Sequence, residues 1–113
     1  MANPRIDLFR GVMLIMLALS LAIWSKPAAA DDAAPTYKAK CAACHGADGK
    51  GETAMGKKFG LRDLASPEVQ KLSDDELNTV IADGKDKMPS YKKSLKPEQV
   101  KELVAYIRSL AKK

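Results

Sequence analysis

Residues 41 to 46 read CAACHG, in which two cysteines stand three positions apart and a histidine directly follows the second. Two thiols at this spacing on a helical turn can each add to a different vinyl group of one porphyrin, and the histidine then reaches the iron from the same side. The motif therefore predicts one covalently bound haem c, attached to Cys41 and Cys44, with His45 as an axial ligand of the iron. Because two thioethers hold haem irreversibly, a small protein keeps it without enclosing it fully.

Three other interpretations of the two cysteines explain less of the sequence. A thioredoxin-like dithiol requires a βαβ context, and no strand pattern is evident. A structural zinc site requires four nitrogen or sulfur ligands, whereas the chain has two cysteines and one histidine. A disulfide is open to an exported protein but gives His45 no role.

The second axial ligand is expected to be a methionine. His45 is the only histidine, so two-histidine ligation within one molecule is impossible and the chain holds at most one haem. We favour Met88, which lies in a polar loop before Pro89, and expect Met55, in a glycine-rich loop, to contact haem or solvent. A thioether closes the sixth coordination site, which predicts a one-electron carrier and not an enzyme. A haem peroxidase or a gas sensor with an open distal site is the alternative.

Residues 1–30 have the order of a secretory signal peptide. Arg5 and Arg10 precede an apolar run at residues 11–24, and a short run of alanines follows. A membrane-spanning helix needs about 20 apolar residues, more than this run supplies. We therefore expect cleavage of the signal peptide, a periplasmic domain at residues 31–113, and membrane association only where the signal peptide stays uncleaved.

Charge and length limit the classes of partner. The 113 residues carry 19 basic and 14 acidic side chains, a formal net charge of +5, of which +3 remains on residues 31–113. This mild excess, without a long basic run interleaved with aromatics, argues against nucleic acid as a partner. A domain of about 80 residues builds only a small core and often needs a disulfide, a metal or a cofactor to stabilise it. A large apolar cofactor would enlarge the core. We expect a monomer.

The first half of the domain is predicted to contain little regular structure beyond one helix. That helix is expected from about Ala34 into the CAACHG motif. Residues 46–60 contain five glycines and are predicted to form a loop. Ser66 before Pro67 predicts a short helix that ends near Lys71.

The second half shows two clear helices. Ser73 and Glu76 form a capping box that opens a helix, and Gly84 is expected to end it in the left-handed conformation. The last helix is predicted to begin at Pro97, and its face has the clearest apolar stripe in the chain: Val100, Leu103, Val104, Ile107, Leu110 and Ala111.

Lysines are frequent in the two loops beside the predicted haem ligands: Lys57 and Lys58 in the first, and Lys85, Lys87, Lys92 and Lys93 around Met88. Two interpretations of these lysines stay open. They either keep the loops solvated, or form a positive ring around the exposed haem edge that steers acidic redox partner proteins.

In this order, the segments CAACHG, KDKMPSY and VKELVAYIRSL resemble the small bacterial class I c-type cytochromes, which carry one haem. The resemblance spans residues 33–113. It implies an all-α fold of about four helices, in which the first and last cross near one haem edge and a methionine-bearing loop covers the opposite face. It also implies electron transfer between redox proteins by Fe(II)/Fe(III) cycling.

Carried over by residue, Cys41 and Cys44 resemble the thioether cysteines, His45 the proximal ligand and Met88 the distal one. Tyr37 resembles the family's aromatic residue that packs on the terminal helix. The sequence also departs from the family. No proline lies between His45 and Pro67 to offer the carbonyl that usually accepts a hydrogen bond from the proximal imidazole, so we expect a carbonyl of residues 55–58 to replace it. Ala33 stands where relatives often have glycine.

Overall fold

The computed structural model describes residues 29–113. The predicted signal peptide therefore lies outside the described residues, apart from its last two positions, and stays a prediction. The described part contains six α-helices and no strand: α1 Ala29–Lys40, α2 Ala42–His45, α3 Ala54–Phe59, α4 Pro67–Gln70, α5 Asp74–Asp83 and α6 Pro97–Leu110. The all-α prediction is confirmed. The number of helices is six and not about four. Three of them, α2, α3 and α4, are only four to six residues long. Within the described range no helix is long and apolar enough to cross a membrane.

The first helix does not continue into the CAACHG motif as predicted. It begins at Ala29 and ends at Lys40, and α2 follows after a break at Cys41. At the break, the amide of Cys44 donates to the carbonyl of Cys41 at 3.2 Å, one residue short of the partner that a continuous α-helix would give it. The break tightens the turn that carries the motif.

The prediction of a loop over residues 46–60 was wrong for its second half, which forms α3. Thr53 caps this helix, because its hydroxyl accepts a hydrogen bond from the amide of Gly56 at 2.9 Å. Gly60 ends the helix in the left-handed conformation, with φ 64° and ψ 42°. The sequence contains both signals for this helix, Thr53 at its start and Gly60 at its end, although the many glycines of the stretch favoured a loop.

The capping box of α5 is confirmed. The Glu76 amide donates to the Ser73 hydroxyl at 3.1 Å, and the Ser73 amide donates to the Glu76 carboxylate at 2.7 Å. Gly84 has a positive φ of 78°, but its ψ of 169° is extended, so the expected left-handed helical conformation is absent. A Cβ atom on Gly84 would lie 2.6 Å from the Met88 carbonyl oxygen. Glycine is therefore required here by the close return of the loop that carries Met88.

The core lies where α6 packs against α1 and α5. The predicted stripe of α6 is buried from Val100 to Leu110, whereas Ala111 lies beyond the helix and is exposed. On α1, Ala33 and Tyr37 are buried, and the rings of Tyr37 and Tyr106 are 4.7 Å apart. The predicted aromatic contact at the crossing of the first and last helices is present.

Arg108 fastens α6 to the segment between α4 and α5. Its guanidinium donates to the carbonyls of Gln70 and Leu72 at 2.8 and 2.5 Å, and to the Asp74 carboxylate at 2.9 Å. This segment also forms one wall of the cavity described next.

Candidate functional site

A cavity of about 390 Å³ opens between the CAACHG motif, the α4–α5 region and the loop after α5. Its wall is largely aliphatic and includes four branched residues: Leu61, Leu64, Val80 and Ile81. Tyr91 lines an adjoining cavity of about 110 Å³. Apolar enclosure of this size matches the general form of small-molecule and cofactor sites.

The four predicted haem-binding residues lie together around these cavities. Cys41, His45 and Met88 line the larger cavity, and all three line the smaller one together with Cys44. Met88 is distant from the motif in sequence, yet the fold brings its thioether to the same space as the imidazole and both thiols.

The two thiols are partly buried and are not joined in a disulfide. Burial raises the pKa of the Cys41 thiol to about 11, so it is protonated at neutral pH. Reactive cysteines of thiol redox proteins have the opposite shift. Among residues 29–113, no group of three histidine, cysteine or acidic side chains could hold a metal ion. The thiol redox and zinc interpretations therefore gain nothing from the structure.

Burial lowers the pKa of His45, which makes its imidazole neutral at neutral pH, the form that ligates a metal. Its Nδ1 atom is buried and has no hydrogen-bond partner among the described residues. No carbonyl of residues 55–58 therefore accepts the bond that was expected from that stretch. A neutral imidazole, a thioether and an apolar cavity make up a donor set and surroundings that fit haem iron.

The segment after the motif packs tightly against it through residues that the sequence analysis missed. The Thr53 hydroxyl donates to the carbonyl of Cys44 at 2.6 Å while it caps α3. A Cβ atom on Gly56 would overlap the Gly51 carbonyl and lie 2.9 Å from the Cys44 oxygen. A threonine placed directly before a helix is the sequence signal that could have identified Thr53.

The loop that carries Met88 is a tight turn tied to the end of α5. Met88 and Lys85 exchange two backbone hydrogen bonds of 2.8 and 3.1 Å. Within the turn Asp86 has a φ of 53°, a left-handed conformation that is uncommon outside glycine. The Ala82 carbonyl accepts the Ser90 hydroxyl at 2.6 Å. These bonds hold the partly buried Met88 against the core.

The mouth of the smaller cavity combines apolar and positive side chains. Met55 and Phe59 are exposed there, at 42% and 36% of their surfaces, and Lys40 and Lys87 lie beside them. Lys58 stands over the Phe59 ring at 5.6 Å. Met55 is therefore at the surface of the mouth and not on the wall of the larger cavity.

Comparisons with known proteins find c-type cytochromes similar to this chain. A family model described as cytochrome C oxidase, cbb3-type, subunit III matches residues 28–107. Cytochrome c6 of Nostoc sp. (strain PCC 7120) is 33% identical over 99 residues, 85% of this chain and 86% of the relative. Cytochrome c6 of Gloeothece citriformis is 32% identical over 107 residues, 90% of this chain and 94% of the relative. The solved structure named KustC0563 c-type cytochrome is 36% identical, with a TM-score of 0.65, and covers 69% of this chain and 95% of its own.

Proposed function

The chain belongs to the small class I c-type cytochromes, and we propose that its haem is held by four residues: Cys41, Cys44, His45 and Met88. It is a mono-haem electron carrier with one covalently bound haem c. The observation that supports the assignment of residues is that all four line one cavity, although Met88 comes from a different part of the chain. In this assignment Cys41 and Cys44 form the thioethers, and His45 and Met88 are the axial ligands.

The haem iron supplies one-electron exchange between Fe(II) and Fe(III). His45 is neutral and would offer a nitrogen lone pair, and Met88 would offer a thioether sulfur from the loop after α5. The aliphatic wall excludes water and favours a raised reduction potential. Because His45 and Met88 would both ligate the iron, no coordination position would be open for a substrate, and for that reason we propose that the protein has no enzymatic activity of its own.

Its partners are redox proteins, and we propose that their docking surfaces are acidic. The mouth of the smaller cavity offers an apolar centre, Met55 and Phe59, beside positive side chains that include Lys40 and Lys87. Such a rim increases association rates with negatively charged partners, and salt weakens this electrostatic effect.

We further propose a monomer that is exported to the periplasm after removal of residues 1–30. Amino-terminal sequencing of the purified protein should then begin at Asp31.

Two measurements test the carrier function: a redox titration, and the anaerobic addition of carbon monoxide to the ferrous protein. The pure protein should titrate as a single reversible one-electron couple, and its ferrous form should not bind carbon monoxide at neutral pH. Ready carbon monoxide binding would show an open distal position and would favour the peroxidase or gas-sensor alternative. The haem should also stay on the denatured chain, because two thioethers hold it.

A further inference from the structure

Tyr91 connects the loop of Met88 to the helix that leads into the haem-attachment motif. Its hydroxyl donates a hydrogen bond of 2.9 Å to the carbonyl oxygen of Lys40, the last residue of α1. Lys40 directly precedes Cys41, and Tyr91 follows Met88 by three residues. The bond therefore spans the space between the two sides of the proposed haem site.

The Lys40 carbonyl is available to Tyr91 because α1 breaks at Cys41. In a continuous helix the amide of Cys44 would donate to the Lys40 carbonyl, but here it donates to that of Cys41. A carbonyl freed at a helix end needs another donor. The Tyr91 hydroxyl is that donor. The break at Cys41 therefore provides the acceptor for the bond from Tyr91.

The other bonds of the loop run to a different element. The Tyr91 amide, the Lys92 amide and the Ser90 hydroxyl all donate to carbonyls at the end of α5. Among the hydrogen bonds of residues 29–113, the Tyr91 hydroxyl makes the only one that joins residues 85–95 to residues 37–46. Tyr91 also lines the smaller cavity with Met88.

We propose that Tyr91 is a positioning residue, whose hydroxyl fixes the Met88 loop to the haem-attachment segment and so opposes displacement of Met88 from the iron. This inference rests on the proposed ligation by Met88. Without this bond, the hydrogen bonds that join residues 85–95 to the rest of the described chain run only to α5, and the loop opens more often. An external ligand that binds the open form then gains apparent affinity in proportion to the population of that form.

The test measures imidazole binding to the ferric holoprotein, using Tyr91→Phe, which removes only the hydroxyl. Tyr106→Phe is the matched control. Among the tyrosines of residues 29–113, the hydroxyls of Tyr37 and Tyr91 make hydrogen bonds, and that of Tyr106 makes none. We expect imidazole to bind Tyr91→Phe about five to ten times more tightly than the wild type, the factor that one neutral hydrogen bond contributes. The control should stay within twofold of the wild type.

Two results would overturn the inference, and they are distinguishable. If Tyr91→Phe unfolds more easily but binds imidazole with wild-type affinity, the hydroxyl is only structural, and ligation by Met88 stands. If the wild-type ferric protein lacks the methionine-to-iron absorption band near the red end of the visible spectrum, ligation by Met88 fails and the role of Tyr91 fails with it.

Discussion

The hydroxyl of Tyr37 donates a buried hydrogen bond of 2.7 Å to the carbonyl oxygen of Gly46, the residue directly after His45. The same tyrosine packs its ring on Tyr106 of α6. Burial raises the pKa of the Tyr37 phenol, so the hydroxyl remains a donor at any physiological pH. One side chain thus joins the helix crossing to the end of the haem-attachment motif.

Replacing Tyr37 by phenylalanine should keep the ring packing but remove one of the two donors to the buried Gly46 carbonyl, which keeps its bond from the Gly49 amide at 3.1 Å. The expected loss of unfolding free energy is about 0.5–1.5 kcal/mol, the net contribution of one hydrogen bond. Urea unfolding of the ferric holoprotein measures it. Tyr106→Phe serves as the control and should change the midpoint much less; equal midpoints for wild type and Tyr37→Phe would contradict the account.

Thr53→Val should also destabilise the fold, since it removes the cap of α3 and the bond to the Cys44 carbonyl together. The cost of losing such a cap is about 1–2 kcal/mol. Thr53→Ser keeps the hydroxyl and should recover most of the loss in the same urea titration. If serine and valine behave alike, the hydroxyl contributes nothing to stability.

The sequence predicted those parts of the fold whose signals are local. The CAACHG motif, the Ser73–Glu76 capping box and the stripe of α6 each depend on residues a few positions apart. The contact of Tyr37 with α6 came from the family resemblance. Helix α3 was not predicted, because five glycines in residues 46–60 indicated a loop, although Thr53 is a favourable N-cap residue.

Other features depend on contacts between distant segments and could not be predicted from spacing. Gly84 departs from the left-handed helical conformation, and the Met88 carbonyl leaves no room for a side chain there. The bond from Tyr91 to Lys40 depends on both the course of the Met88 loop and the break at Cys41. The Nδ1 atom of His45 likewise has no hydrogen-bond partner among the described residues, which depends on how the glycine-rich segment folds back on the motif.

Acid should weaken the start of α5 through Glu76. Hydrogen bonds from Ser73 lower the pKa of the Glu76 carboxyl below its ordinary value of 4.5. A carboxyl with a lowered pKa in the folded state stabilises that state above its unfolded pKa and loses this contribution as the pH falls through the folded pKa. Thermal unfolding of Glu76→Gln should therefore differ from wild type at pH 7 and converge with it below the folded pKa. A difference independent of pH would exclude the charge as its cause.

Lys87 should contribute to electron exchange with anions, because it is exposed and lines both cavities. Hexacyanoferrate(III) is a suitable anionic oxidant for the ferrous protein. We expect Lys87→Glu to lower the second-order rate constant by a factor of about three at low salt, with the effect shrinking as ionic strength rises. Lys101→Glu, which makes the same charge change on the exposed face of α6, should have a smaller effect. Equal effects of the two variants would assign the rate to net charge alone.

Ligation of the iron by Met88 is the central claim, and the absorption spectrum of the ferric protein tests it most directly. The wild type and Met55→Ala should both show the methionine-to-iron band near the red end of the visible spectrum. Met88→Ala should retain covalent haem but lose this band and, in the ferrous state, bind carbon monoxide readily. A band that persists in Met88→Ala, or that disappears in Met55→Ala instead, would contradict the account.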